Sequence, residues 1–371
     1  MRNTHVWSRL ICVAFGLSLC GVGPSLAATW ELVPLHPTSW RESSAFGVSG
    51  ANVVGYLAAG FGDAQPVLWA GRSQVTPLTA PPETWAVGIH GSSIVGHARG
   101  TRDALLWQGA ARELVQLEPT GADSSFALAT NGVAQVGSVE SHAAIWHGTA
   151  ASVVDVHPPG AWASTLRAVD DSGEAGDIIL GTHGLPHAAL WHGTAESVMD
   201  LHPAGAYASQ AQAISSGRQG GFVQFVRDGP SHAALWSGTA ESFFDLTPSG
   251  GPTVAGAIYG MDGDVQVGQA GFLDGSGGAT VWFGTPESAF FLGSLLSADY
   301  TETWAYAVDV DEFGTIRVVG SAYNNSYYLP DGTHYPRYEA MMWVLVPEPS
   351  SLAALAAGLA GLAAVRRRRR R

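Results

Sequence analysis

Lysine is missing from this chain, because all 18 basic residues are arginine. A protein without lysine can use neither Schiff-base chemistry nor a lysine general base. Cysteine is nearly missing as well, since its two copies, Cys12 and Cys20, both lie close to the N-terminus. Once that terminus is removed, the protein has no disulfide and no thiolate metal site. Its stability must therefore come from packing.

The N-terminus has the composition of a secretory signal peptide, which we place at residues 1–27. Arg2 and Arg9 flank a basic region, residues 10–19 are apolar, and small residues follow up to Ala27 and Ala28. This order is typical of substrates of signal peptidase. We expect cleavage after Ala27 or Ala28.

The C-terminal segment, 347–371, combines Pro347-Glu348-Pro349, an uncharged apolar run at 350–365 and a final arginine cluster. The run is slightly shorter than the roughly 17 to 25 residues that span a bilayer as a helix. The arginines would keep its end on the cytoplasmic side. We interpret it as a transient transmembrane anchor, with a permanent single-span anchor as the alternative. The residues expected to direct sorting and processing are Ala27, Ala28, Pro347, Glu348, Pro349, Arg366, Arg367 and Arg368.

Between these two segments the chain is strongly acidic. It keeps 10 of the 18 arginines and 30 of the 31 acidic residues, a formal charge of about −20. Such a charge argues against nucleic acid as a partner.

Internal repetition predicts the fold of residues 28–346. Tryptophan recurs at spacings of 38, 39, 45, 45, 46 and 61 residues, which is the period of propellers and solenoids. Before each tryptophan lies a strand of the type Ser/Thr-x-Ala-x-Ala/Gly-Val/Ile, in which small residues on one face allow close approach of a neighbouring strand. The seven tryptophans are Trp69, Trp107, Trp146, Trp191, Trp236, Trp282 and Trp343.

Each repeat contains signals for four short strands. A hairpin turn such as Asn131-Gly132 follows the first strand, then come a β-branched strand, the tryptophan strand and an outer strand that ends near an aspartate. Seven such units predict an all-β, seven-bladed β-propeller of four-stranded antiparallel blades. An open β-solenoid is the alternative, but it would need capping ends that the sequence lacks.

The two ends of the repeat region complement one another. Residues 30–37 end in Leu-His-Pro like the outer strand at 201–203, yet no unit precedes them. The last unit, around Trp343, lacks an outer strand of its own. We therefore expect the N-terminal strand to complete blade seven and close the ring, which removes a free sheet edge.

These motifs resemble two known families. The Pro-Glu-Pro, apolar and arginine segments resemble the PEP-CTERM sorting tail, which implies cleavage by an exosortase-type membrane protease and delivery to the cell envelope, surface or extracellular matrix. The unit exemplified by His-Ala-Ala-Leu-Trp at 187–191 resembles HAF-type extracellular repeats, from about Trp40 to Trp343. It lacks the phenylalanine usual after His-Ala in that family, and the family implies no agreed activity.

Histidines and aspartates recur at identical places in successive units, as at His142, His187 and His232. Equivalent residues of neighbouring blades lie too far apart to share an ion, so we expect hydrogen bonds rather than a metal site. The repeated Asp155 and Asp200 precede turns where aspartate binds local backbone. We predict no catalytic residue, no metal and no cofactor, since catalysis needs an asymmetric cluster.

The repeat is broken in unit seven, where about fifteen extra residues precede Trp343. Loops of this length are often functional. Tyrosines with asparagine and arginine can stack on sugar rings and bind their hydroxyl groups. The alternative is a long hairpin whose tyrosines pack onto the blade. The candidate ligand-binding residues are Tyr323, Asn325, Tyr327, Tyr328, Tyr335, Arg337 and Tyr338.

The sequence thus predicts an exported, non-enzymatic propeller that binds extracellular polysaccharide or has a structural role. The choice of polysaccharide as ligand rests partly on the tyrosine loop. It also rests partly on the resemblance to the sorting family, whose members are associated with exopolysaccharide production. A hydrolase or lyase that modifies polysaccharide at the channel mouth is the alternative. It would require carboxylates or histidines that converge at one end of the channel.

Overall fold

Seven four-stranded antiparallel sheets form the blades of a ring in the computed structural model. It describes residues 29–347 without 61, 73, 183, 249–252, 273–276 and 330–331. The predicted seven-bladed β-propeller is confirmed. The signal peptide predicted at 1–27 lies outside the described residues, as do Ala28 and the sorting segment from Glu348 onward with its apolar run at 350–365. Within the described residues, no helix has the length and apolarity needed to cross a membrane.

Each blade is a meander whose strands are neighbours in order along the chain, except in blade seven. β1 (Trp30–Pro34) belongs to blade seven. Blade one contains β2 (Glu42–Ser49), β3 (Asn52–Ala58), β4 (Gln65–Ala70) and β5 (Gln74–Pro77). Blade two contains β6 (Thr84–His90), β7 (Ser93–Ala98), β8 (Ala104–Gln108) and β9 (Glu113–Gln116). Blade three contains β10 (Ser125–Thr130), β11 (Gln135–Val139), β12 (His142–Trp146) and β13 (Val154–Asp155).

The remaining blades repeat this order. Blade four contains β14 (Ala161–Asp170), β15 (Gly173–Leu180), β16 (Pro186–Trp191) and β17 (Met199–Asp200). Blade five contains β18 (Ala208–Ser215), β19 (Arg218–Gln224), β20 (Ser231–Trp236) and β21 (Phe244–Asp245). Blade six contains β22 (Thr253–Asp262), β23 (Val265–Phe272), β24 (Gly277–Trp282) and β25 (Phe290–Phe291). Blade seven contains β26 (Tyr300–Val310), β27 (Ile316–Asn324) and β28 (Arg337–Leu345), followed by β1.

Short 3-10 turns precede the outer strands of blades three to six and leave those strands only two residues long. In three of them the serine of Gly-Thr-Ala-x-Ser closes a capping box with the threonine. Ser152 Oγ, for example, accepts a hydrogen bond from His147 N–H at 2.8 Å. These turns are Ala150–Ser152, Ala195–Ser197, Ala240–Ser242 and Pro286–Ser288, and a fifth 3-10 segment spans Leu292–Leu295.

The N-terminal strand closes the ring, as the sequence predicts. β1 pairs antiparallel with β28, so that Leu32 lies opposite Trp343 and Val33 opposite Met342. Val33 is 6% exposed and belongs to an apolar cluster that continues into blade one through Trp69. Pairing with β1 covers the edge that β28 would otherwise present to solvent.

The seven repeated tryptophans lie on the third strand of each blade and are at most 1% exposed. Several donate their indole N–H to the preceding blade. Trp69 Nε1 donates to Leu35 O at 3.0 Å, and Trp107 Nε1 donates to Thr79 O at 2.8 Å. Each such tryptophan therefore fixes the spacing between two sheets as well as filling the core.

Every first strand contains a β-bulge that faces a glycine on the second strand. In blade three the register shifts between Ala127 and Ala129, next to the pair formed by Ala127 and Gly137. A Cβ added at Gly137 would lie 1.8 Å from Phe126 O, so only glycine allows this approach. The equivalent distances in the other blades are 1.8–2.0 Å, at Gly55, Gly96, Gly176, Gly221, Gly268 and Gly320.

Histidines connect neighbouring blades. His157, which follows the outer strand of blade three, donates from Nε2 to Ala161 O at 3.1 Å, so its Nδ1 accepts from Ser164 Oγ–H at 2.8 Å. Ser164 Oγ also accepts the N–H of Ala143. His202 makes the same two bonds, to Ser209 Oγ and Ala206 O. At the ring closure, His36 Nδ1 lies 2.8 Å from Ser43 Oγ.

We expect the protein to lose stability in mild acid. Burial is the main reason why the pKa of His36 and that of His97 fall to about 4. The unfolded chain binds protons near pH 6.5, so the stabilising contribution is complete above that pH and is lost as the pH falls toward about 4. Thermal unfolding measured between pH 4 and 7.5 should show this loss, and His97→Leu should flatten it. An unfolding temperature independent of pH in this window would contradict the assignment.

Candidate functional site

The bulge turns one side chain per blade into the central channel. These seven residues, which we call the channel ring, line a cavity of about 190 Å³ and are all partly exposed. They occupy equivalent positions but differ in chemistry, so the channel wall does not share the symmetry of the scaffold. The channel ring consists of Phe46, Val87, Leu128, Arg167, Gln212, Tyr259 and Tyr306.

One side of the channel is aromatic. The ring of Phe46 lies 5.3 Å from that of Tyr306 and 5.6 Å from that of Trp85, and Trp85 stacks on Tyr56 at 5.3 Å with an interplanar angle of 10°. Tyr259 extends this group into blade six, 6.0 Å from Tyr306. The group spans blades six, seven, one and two.

The other side of the channel is polar. Arg167 and Gln212 occupy the channel ring in blades four and five. Arg167 Nε donates to Asp177 Oδ1 at 2.5 Å, and Asp177 is only 5% exposed. A ligand that entered the channel would meet aromatic faces on one side and hydrogen-bonding groups on the other.

The connections from second to third strands lie on one face of the propeller, which we call the upper face, because successive connections of a meander alternate between its two edges. The connection of blade seven runs from 325 to 336, whereas that of blade three is 140–141. It folds back on itself through bonds such as Tyr335 N–H to Tyr327 O at 2.9 Å. The predicted long loop is therefore an element of the upper face.

A buried polar network anchors this loop. Arg337 Nε donates to Glu339 Oε1 at 2.7 Å, and Tyr300 Oη donates to Glu339 Oε2 at 2.6 Å. Burial raises the pKa of Glu339, but the bonds from Tyr300 and Arg337 outweigh it and keep that pKa below its ordinary value. In the repeat, Glu339 takes the position that His142 has in blade three. Blade seven has thus exchanged a histidine–aspartate pair for an arginine–glutamate pair beneath the loop.

The predicted binding residues of the loop fall into two groups. Tyr323 and Tyr338 lie with their rings 5.0 Å apart, and Tyr338 is also 5.8 Å from Trp304 on the first strand of the blade. Tyr338 is 37% exposed, so this group presents ring surface to solvent at the upper face. Tyr328, 58% exposed, lies farther along the loop beside His334.

Of the other predicted residues, Tyr327, Tyr335 and Arg337 pack against the protein, whereas Asn325 is exposed. The Arg337 guanidinium lies 3.4 Å from the ring centroid of Tyr327, and Arg337 itself is 7% exposed. Tyr335 packs against Arg41 of blade one, and the carbonyl oxygen of Asn325 accepts from His334 Nε2. These contacts fix the loop against blade one.

Trp304, Tyr323 and Tyr338 form an aromatic rim on the upper face. A second cavity, which we call the upper pocket, opens between blades one and two. Its volume is about 400 Å³. Glu42, at the start of β2, has its pKa raised first by burial and then by the nearby Asp63 carboxylate. Burial, followed by the nearby Glu302, Tyr323 and Glu42, raises the pKa of Tyr338, so Glu42 lies within electrostatic range of the rim. The lining residues are Glu42, Tyr56, Ala58, Gly60, Gly62, Ala64, Glu83, Trp85 and Arg99.

Sequence reasoning missed the channel ring and the upper pocket. The signal for the ring was present in the two variable positions of Ser/Thr-x-Ala-x-Ala/Gly, which change from Trp85 and Val87 in unit two to Thr165 and Arg167 in unit four. The bulge directs the second of these positions, Val87 or Arg167, into the channel, whereas Trp85 lines the upper pocket.

The repeated histidine–aspartate pairs remain local. His142 Nδ1 donates to Asp155 Oδ2 at 3.0 Å, and Asp155 Oδ1 accepts the N–H of His157. The rings of His142 and His157 stack at 3.9 Å. Every group in this set binds its own blade or the next one, consistent with a structural role.

Comparisons with known proteins bear on the tail and on the fold. Residues 345–370 match the model of the PEP-CTERM protein-sorting motif. This motif points to export, to processing by an exosortase and to the cell envelope or surface. No curated protein matches the chain. The resemblance of the repeats to HAF units stays a prediction.

Solved structures with a similar fold share little sequence with this chain. A puromycin hydrolase mutant complexed with PGG is 12% identical with a TM-score of 0.53, and the alignment covers 81% of this chain but only 51% of the hydrolase chain. The WD40 repeats of RRP9 are 12% identical with a TM-score of 0.48, covering 85% and 97% of the two chains. The likeness to the hydrolase supports the propeller fold alone.

Proposed function

We propose that this protein is an exported propeller that binds polysaccharide at the cell envelope or in the extracellular matrix, without cleaving it. The observation that carries the proposal is the aromatic rim formed by Trp304, Tyr323 and Tyr338 on the upper face, next to the upper pocket. Aromatic faces with adjacent polar groups are suited to sugar rings, which have apolar faces and hydroxyl edges.

The anchoring of the loop supports the same proposal. Arg337 is buried and bonded to Glu339, which holds the strand that carries Tyr338. A rim fixed before the ligand arrives loses little conformational entropy on binding. Blade seven is also the blade that departs most in length from the repeat.

A binding screen tests the proposal. The mature domain should bind at least one member of an array of extracellular polysaccharides, and Tyr338→Ala should weaken that binding about tenfold or more, since a lost aromatic contact costs about 1.4 kcal/mol. Phe313→Ala is the matched control, because Phe313 is 67% exposed but lies in the turn between β26 and β27, on the opposite face. Equal binding by wild type and Tyr338→Ala would show that the rim does not contact the polysaccharide. The absence of binding to any polysaccharide would overturn the proposed function.

One observation favours a hydrolase as second candidate. Glu42 and Glu83 both line the upper pocket, and burial followed by the nearby Asp63 carboxylate raises the pKa of Glu42. Glycoside hydrolysis uses two carboxyl groups of different acidity. Analysis of the bound polysaccharide for shortened products decides between the candidates. Products that disappear in Glu42→Gln and Glu83→Gln would establish the hydrolase.

A further inference from the structure

The upper pocket carries more negative than positive charge. Glu42, Glu83 and Arg99 are its charged lining residues, and Asp63 lies close enough to act on Glu42. Within the described residues, no arginine forms an ion pair with any of these three carboxylates. The potential of the pocket is therefore not neutralised by partners of its own.

The one cation in the lining sits on an aromatic face. The Arg99 guanidinium lies 4.5 Å from the centroid of the Trp85 ring. Tyr56 also stacks on Trp85, with ring centroids 5.3 Å apart and an interplanar angle of 10°. This geometry is that of a cation–π contact, in which the ring face attracts positive charge. The pocket thus combines the two features that bind an ammonium group, an aromatic face and free carboxylates.

We infer that the upper pocket selects a positively charged amino sugar, with Arg99 occupying the position of its ammonium group when the pocket is empty. The inference rests on the proposed function and names the class of polysaccharide, one with unacetylated hexosamine residues. An ammonium group in the pocket contacts Trp85 and the carboxylate of Glu83 or Glu42, and Arg99 moves toward solvent.

Charge favours this class over acidic polysaccharides. The repeat region has a formal charge of about −20, which repels a polyanion at separations up to the electrostatic screening length of the solution. A uronate bound through Arg99 would also bring its carboxylate next to Glu42 and Glu83. A cationic chain meets attraction both at long range and in the pocket.

Three tetrasaccharides of equal length test the inference on the mature domain: glucosamine tetramer, its fully N-acetylated form and tetragalacturonate. We expect the glucosamine tetramer to bind at least about tenfold more tightly than the acetylated form, with affinity falling as salt increases. Glu83→Gln and Glu42→Gln should each weaken binding of the amino sugar several-fold, and more than they weaken binding of the acetylated form. Glu113→Gln, on an exposed residue of the outer strand of blade two, is the control for overall charge.

Arg99→Gln gives the sharpest result. If Arg99 competes with the ligand, its removal should strengthen binding of the glucosamine tetramer several-fold. Weaker binding in Arg99→Gln, or preference for tetragalacturonate, would overturn the inference and point to an anion site. Equal affinity for the glucosamine tetramer and its acetylated form would overturn the inference and leave the proposed function standing. If neither the tetrasaccharides nor the array bound, both the inference and the proposed function would be overturned. Unfolding temperatures of the variants show whether each remains folded.

Discussion

Gly137→Ala should destabilise the propeller by about 3 kcal/mol or more of unfolding free energy, well beyond the effect of an ordinary alanine substitution. The added Cβ would lie 1.8 Å from Phe126 O, and the atom in its way is backbone rather than a mobile side chain. The strand pair can relieve the clash only by separating, which breaks the bulge that directs Leu128 into the channel. Denaturant unfolding monitored by tryptophan fluorescence measures the loss.

Gly100→Ala is the control for this substitution. Gly100 also lacks a positive φ, and an added Cβ would meet nothing closer than 3.8 Å. Its free energy of unfolding should change by less than about 0.5 kcal/mol. Similar small effects in both variants would mean that the glycines opposite the bulges are not required by close approach.

Val33→Asp should disrupt the closure of the ring. The carboxylate would enter a cluster made up of hydrophobic residues, in which Val33 is 6% exposed. An unpaired buried charge costs several kcal/mol, so we expect a loss of about 4 kcal/mol or more. Release of β1 would also leave β28 as a free edge, which favours association between chains. Thermal unfolding and light scattering of the purified variant report both effects.

Glu31→Gln tests whether the effect depends on burial. Glu31 lies on the same strand but is exposed, and it pairs with Arg72 at the surface, where an ion pair contributes little. We expect nearly wild-type unfolding for Glu31→Gln. A stable, monomeric Val33→Asp protein would show that the ring closes without β1.

The scaffold was predictable because every blade packs against its neighbours in the same way. Each sheet needs a large residue between it and its neighbour, and the tryptophans supply it at a regular period. Each first strand needs small residues where strands crowd around the axis, as where a Cβ at Gly88 would come within 3.1 Å of Leu128 O. The missing outer strand at the C-terminus and the extra strand at residues 30–37 together predicted the closure.

The candidate site was only partly predictable. Tyrosine abundance pointed to the loop of blade seven, but composition could not separate Tyr338, which faces solvent at the rim, from Tyr327, which covers a buried arginine. That separation depends on which side chain the bend of the loop turns inward. The upper pocket was not predictable from spacing, since Glu42 and Glu83 belong to different blades and come together only when blade one packs against blade two.

The positions that repeat from blade to blade and the positions that vary carry different information. Residues that repeat, such as His157 and Ser164, hold blades together, while residues at equivalent positions that vary, such as Tyr306 and Arg167, line the channel and its mouth. We expect specificity to depend on the second set. The proposed amino-sugar preference involves blades one and two, where Glu42, Glu83 and Trp85 occupy positions in or just before the first strand that are small or polar in blades four and five.

Hydrogen–deuterium exchange of the mature domain, with and without the polysaccharide that binds most tightly on the array, locates the binding site on the propeller. We predict slower exchange on binding in the loop at 325–336 and in the segments around Glu42 and Glu83, and unchanged exchange in the hairpin turns on the opposite face, such as that around Phe313. Protection confined to those turns or to the outer strands would contradict a binding site on the upper face.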